Sequence, residues 1–169
     1  MIQEALHIAN DAAKRSGPSP APQGEYLTFR LGAEEYGIDI LRVQEIRSYE
    51  APTRIANAPD FVKGVVNLRG VIVPVIDLRL SMGCEHAEYD AFTVVIVLSV
   101  RGKIVGVVVD AVSEVVTLGA DAIRPAPAMP INFSGEVIVG IGSVQDRMIV
   151  LIDIVALLSS DQMGLVAAA

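Results

Sequence analysis

Few residues in this chain could carry out chemistry. Its two histidines are His7 and His86, and its one cysteine is Cys84. Cys84 and His86 alternate within SMGCEHAEYD, residues 81–90. As neighbours, a thiol and an imidazole suit a metal or an activated thiolate. The full set of four tetrahedral ligands is missing, and a nucleophile needs a built pocket with oxyanion donors that this stretch does not announce. Carboxylates are more numerous, with Asp39, Glu45, Asp77, Asp110, Glu114 and Asp153 at related places in the chain. Acid–base work requires two of them to converge in one cleft. Asp77 and Asp153 instead follow apolar runs and stand just before Leu78 and Ile154, where an aspartate ends a strand and caps the next turn. GVVNLRG and GIGSVQD both lack the Gly-Lys-Ser/Thr ending of a phosphate loop. The expectation is no catalytic residue, no cofactor and no metal.

A better candidate for binding is Arg69, in the stretch GVVNLRGVIVPVIDLRL, residues 64–80. Two apolar, β-rich runs meet at Arg69-Gly70, a hairpin signature in which Gly70 takes the positive φ of a tight reversal. An arginine on a rigid tip between apolar side chains is a residue type that anchors protein interfaces. The same residues also allow an ordinary solvated turn arginine. Pro74 has no N–H to give a sheet, which predicts an edge strand or a bulge at that point.

The remaining elements follow from the same patterns. Residues 1–24, ending in SGPSPAPQG, read as a flexible tail and linker. Residues 26–31 form an imperfectly alternating strand, 32–35 a turn, and Tyr36 to Ile38 a second strand. Asp39 can cap one helical turn through Arg42, with a strand after it; one amphipathic helix over 40–46 fits nearly as well. Asp153 can cap a terminal helix with Ile154, Leu157 and Leu158 on one face, and residues 164–169 should fray.

The chain also matches itself. Tyr36-Gly37-Ile38 through Ile46 aligns with Val105-Gly106-Val107 through Val115, 69 residues on, and Gly64 through Leu78 aligns with Gly140 through Ile154, 76 residues on. The lengthened connection is RPAPAMP, residues 124–130. On this second alignment Arg69 falls on Gln145, so the duplicate lacks the tip cation. Two modules of about five short strands, roughly 25–90 and 91–155, would be small antiparallel barrels, each too small to stand alone without a shared apolar layer.

Composition agrees with a mostly β protein. Apolar residues make up 52% of the 169, dominated by Val and Ile, which suit a pleated sheet. A net charge of −7 and 5% aromatic residues argue against a nucleic-acid partner. One cysteine excludes an internal disulfide and agrees with a reducing compartment. No signal peptide is visible, and Arg101 and Lys103 cut the apolar block 92–100 too early for a membrane span.

The phrases EEYGIDILRVQEIRSYE, TRIANAPDFVKGVVNLRGVIVPVIDLR, TVVIVL, VGVVVDAVSEV, IRPAP and DRMIVLIDI closely resemble the CheW family of bacterial chemotaxis coupling proteins, over residues 25–163. The resemblance implies two intertwined five-stranded SH3-like barrels with short helices and a C-terminal helix, the halves exchanging strands. It implies a non-enzymatic adaptor joining the cytoplasmic tips of methyl-accepting chemoreceptors to the regulatory domain of the histidine kinase CheA, at the inner face of the membrane through receptor arrays. A scaffold of a non-flagellar motility pathway is the alternative. By position, the receptor-facing residues would be Val43, Glu45, Gly64, Arg69, Val94 and Val115, and the kinase-facing ones Ile40, Leu41 and Ile72. Val43, Val94 and Val115 are equally explained by core packing.

Overall fold

The computed structural model describes residues 23–81, 88–125 and 137–159. Cys84 and His86, His7, the tail up to residue 22, most of 124–130 and the last residues lie outside them. The described chain runs β1 (Gly24–Leu31), β2 (Glu34–Asp39), a 3-10 turn (Ile40–Arg42), β3 (Val43–Ser48), β4 (Val62–Leu68), β5 (Val71–Asp77) and α1 (Leu78–Ser81). The second copy supplies β6 (Val94–Val100), β7 (Lys103–Val109), β8 (Ala111–Leu118), a 3-10 turn (Ala120–Ala122), β9 (Ile123–Arg124), β10 (Ile138–Val144), β11 (Arg147–Ile152) and α2 (Ile154–Ser159). The fold is mostly β.

Local patterns explain most of these boundaries. Arg69 (φ 52°) and Gly70 (φ 87°) both take left-handed backbone, which closes β4 on β5 with the twist that a two-residue hairpin turn requires. Asp39 caps the first 3-10 turn by accepting from Leu41 N at 2.9 Å, and β3 follows as a strand. Asp153 caps α2 by accepting from Val155 N and Ala156 N, while Ile154, Leu157 and Leu158 are buried. The second strand is longer than expected: pairing of Leu31 with Glu34 tightens the turn to Gly32-Ala33.

The strands form two sheets, ordered β8-β1-β2-β11-β10-β9 and β3-β6-β7-β5-β4. Each sheet therefore takes its leading hairpin from the other copy: β1–β2 lie among second-copy strands, and β6–β7 among first-copy strands. The second copy closes its sheet with β9; at the matching place the first copy has only a single bridge, Thr53 to Val65. Pro74 is neither on an edge strand nor at a bulge of its own strand, because β5 lies between β7 and β4. Two things allow this. Val65, its cross-strand neighbour, turns both backbone groups outward to Thr53 at 2.9 Å, and the parallel pairing with β7 begins one residue later, at Val75.

The exchange leaves the swapped hairpins covered on both faces. On β6, Val95 and Val97 face the interior of the five-stranded sheet with Val75 and Val108, whereas Ile96, Leu98 and Val100 face a larger cluster with Leu27, Phe29 and Ile38 of β1 and β2. That is why TVVIVL is an unbroken apolar run with no alternation. The large cluster is the shared layer between the two sheets, and α2 packs into it. A third cluster, around Tyr26, Leu118, Ile149 and Leu151, fills the six-stranded sheet.

Burial, followed by the Asp39 charge, pushes the Tyr26 hydroxyl from 10.0 up to about 12. A raised value in the folded state means that this contribution to stability is intact below pH ~10 and is lost as pH rises through 12. Burial pushes the Tyr49 and Tyr89 hydroxyls up as well, so spectrophotometric titration of native protein should show tyrosinate appearing late for three of the four tyrosines, about two units late for Tyr26, and the delay should vanish in denaturant.

Candidate docking site

Glu45 lies on β3 and Arg69 at the β4–β5 tip, elements at opposite edges of the five-stranded sheet. Their side chains meet, Arg69 Nη2 donating to Glu45 Oε2 at 2.6 Å, while Arg47 Nη1 donates to the other oxygen at 3.2 Å. The ion pair bridges the two ends of the sheet order, and a hollow of about 60 Å³ is lined by residues of β3, β4, β5 and β6. The Arg69 and Arg47 hydrogen bonds hold the Glu45 carboxyl below the usual range. Ile46 and Ile72, on the same two elements, are left exposed, Ile72 by 62%.

The other expected site residues are more dispersed. Leu41, at 86%, is the most exposed large apolar side chain among the described residues, whereas Ile40 beside it is partly buried against the shared core. Val43 and Val94 also pack on that core, at opposite ends of the β3–β6 ladder, five residues or ~17 Å apart. Gly64 is buried within the bulge on β4. Val115 is 48% exposed on β8, in the other sheet.

The duplicate has a matching ion pair. Glu114, 69 residues after Glu45, is bonded by Arg147, which rises from the β10–β11 hairpin and also reaches Glu35 at 3.1 Å. The cation has moved two positions along the hairpin from Gln145, so the inference that one copy lacks it is corrected. Thr28 fixes the Glu114 backbone, its hydroxyl donating to the carbonyl at 3.0 Å and accepting from the N–H at 3.1 Å. Val115 and Met148 are the sequence counterparts of Ile46 and Ile72, and they are exposed as well.

One cluster that sequence reasoning missed surrounds Arg79, which is 2% exposed. Its guanidinium forks onto Asp77 (2.9 and 2.8 Å) and donates to Asp110 (2.7 Å) and to the Glu88 carbonyl (2.6 Å). Tyr89 donates to Asp77 at 2.7 Å and stacks on Tyr49, and Asp110 accepts from Gly32 N at 2.6 Å. Burial pushes the Asp77 carboxyl up, but Arg79 and Tyr89 together outweigh it and leave it below the usual range. Asp77 also accepts from Arg79 N, the capping role expected of it. The available signal was asymmetry: Arg79 has Val155 as its counterpart, so only one copy places a cation after the aspartate.

All six recurring carboxylates are thus engaged by neighbouring groups, and among the described residues no group of three His, Cys, Asp or Glu could hold a metal ion. The arrangement offers exposed apolar side chains around oriented ion pairs, which suits docking.

Residues 25–162 match the family model of the CheW-like domain. The chain is 56% identical to the chemotaxis protein CheW of Klebsiella aerogenes, over 84% of this chain and 86% of that protein. It is 38% identical to a probable chemotaxis protein CheW of Rhizobium etli, over 82% and 89%. Its fold resembles the crystal structure of the scaffolding protein TtCheW from Thermoanaerobacter tengcongensis, with a TM-score of 0.74, 32% identity and coverage of 82% of this chain and 94% of that one.

Proposed function

The chain belongs to the CheW-like domain family, and from that premise we propose that it is a non-enzymatic adaptor coupling methyl-accepting chemoreceptors to the histidine kinase CheA. The observation that carries this reading is the Glu45–Arg69 pair between exposed Ile46 and Ile72. Apolar burial there supplies affinity, and the charges orient the partner. In this reading the receptor tip engages Glu45, Arg69 and Val115, with Val43 and Val94 supporting from the core side. The kinase's regulatory domain engages Leu41 and Ile72, with Ile40 behind them. Gly64 acts through the loop it seats. Among the described residues no helix is long and apolar enough to cross a membrane, and the proposal puts the protein in the cytoplasm, at receptor arrays.

The test is reconstitution of purified kinase and receptor fragments with and without this chain, with autophosphorylation as the readout. Receptor-dependent activation should require it. Arg69→Glu should leave the unfolding midpoint nearly unchanged, since a solvent-exposed ion pair adds little to stability, yet reduce activation by about tenfold. Combining it with Glu45→Arg restores the pair in reverse. Recovery of activation in the double variant would mean that Arg69 only shapes this surface, and continued loss that it touches the partner. Full activation without this chain would end the adaptor reading.

A further inference from the structure

The segment between β3 and β4 folds over a cavity of about 470 Å³, bounded on its other side by α1 and Tyr89. This volume lies within the range of small-ligand sites, ~300–1,000 Å³. Its lining is mixed: Pro52, Ile55, Val62 and Leu80 supply apolar surface beside charged side chains, and the stacked Tyr49 and Tyr89 rings, centroids 4.5 Å apart, form one side. The Tyr89 hydroxyl is turned inward to Asp77, so the cavity meets ring carbon at Tyr89.

Two cations, Arg54 and Lys63, line the same space, and neither forms an ion pair among the described residues. Lys63 Nζ is held 5.8 Å from the Tyr89 ring centroid, a cation–π contact that presents it without a counter-ion. Asp60 is the one carboxylate in the lining among the described residues, and no ion pair joins it to either cation. In a chain of net charge −7, the described lining of this cavity holds two positive groups against one negative. A bare inorganic anion would leave the tyrosine rings and the apolar part of the lining unused, and a cationic ligand would be repelled.

We propose that this cavity is a small-molecule site for an anion carried on a flat apolar body, with the acidic group at Arg54 and Lys63 and the body against the tyrosines. The assignment stands independently of the adaptor reading. The acidic group can be a carboxylate, phosphate or sulfonate, since the two cations recognise the charge.

The full chain is titrated with 8-anilinonaphthalene-1-sulfonate and, in parallel, with N-phenyl-1-naphthylamine, the same body without the charge. The sulfonate should bind saturably at one site, at least tenfold more tightly than the neutral probe. It should also change tyrosine emission, because two of the four tyrosines line the cavity and the chain has no tryptophan. Arg54→Glu combined with Lys63→Glu should weaken it at least tenfold, and Lys103→Glu, at the distant β6–β7 turn, less than twofold. Non-saturating binding, equal affinity for the two probes, or indifference to the double variant overturns the proposal. The probe comparison needs no variant and decides the matter if the double variant fails to fold. Naphthoate and naphthyl phosphate then distinguish the acidic groups.

Discussion

Arg79→Ala is expected to cost about 3–5 kcal/mol of folding stability, the loss seen when one partner of a buried ion pair is removed. The guanidinium is almost fully buried and forks onto Asp77, which is itself completely buried. Without it, a carboxylate would remain in the interior with Tyr89 and a backbone N–H as its remaining partners. The effect should reach beyond the first barrel, since Arg79 holds Asp110, and Asp110 holds the β1–β2 turn through Gly32 N and, by its own N–H, Arg30 O. Urea unfolding measures the loss, and Asp110→Asn, which removes a half-exposed partner, should cost ~1 kcal/mol. The pH dependence follows from the direction of the Asp77 shift. A value held below normal in the folded state gives a stabilisation present above the unfolded value of ~3.9 and lost as pH falls through the folded value. The native protein should therefore lose stability in acid more steeply than Arg79→Ala. Equal stability of the two at neutral pH would contradict the view of Arg79 as the bolt between the sheets.

Gly64→Ala is expected to destabilise by about 2–4 kcal/mol. A Cβ at this position would stand 2.0 Å from the Thr53 carbonyl oxygen and 2.6 Å from its carbon, atoms of the backbone that cannot swing aside. The residue also has φ +139°, which side chains rarely adopt. Relief requires lifting Thr53 away from Val65 and breaking two hydrogen bonds of 2.9 Å. The loop that moves carries Arg54 and roofs the cavity, so Gly64→Ala should weaken the sulfonate probe as well as lowering the unfolding midpoint. A fully stable variant would mean that the loop can shift freely.

What could be read from the residues depended on how local its cause was. The hairpin at Arg69-Gly70 and the caps at Asp39 and Asp153 were legible, because each is set by two or three adjacent residues. The duplication was legible as well, and it correctly paired Glu45 with Glu114. The placement of Pro74 was not: an edge strand was inferred from one missing donor, whereas the outward turn of Val65 toward Thr53 had already removed the need for it. Arg79 was overlooked because its partners lie 2 and 31 positions away and across two sheets. The crowding at Gly64 is equally invisible without Thr53 beside it. The site was visible as types of side chain, but only the fold brings Glu45 and Arg69 into contact and sets Val115 on the other barrel.

The reciprocal exchange of hairpins bears on how the molecule is made. As the nascent chain leaves the ribosome, β3 must wait for β6 and β5 for β7, while β1–β2 wait for β8 and for β11 near residue 150. The five-stranded sheet cannot be finished until β7 ends at Val109, and the six-stranded one until β11 ends at Ile152, so the β1–β2 and β4–β5 hairpins spend much of synthesis without their other native partners, a period in which shielding by chaperones is worth most.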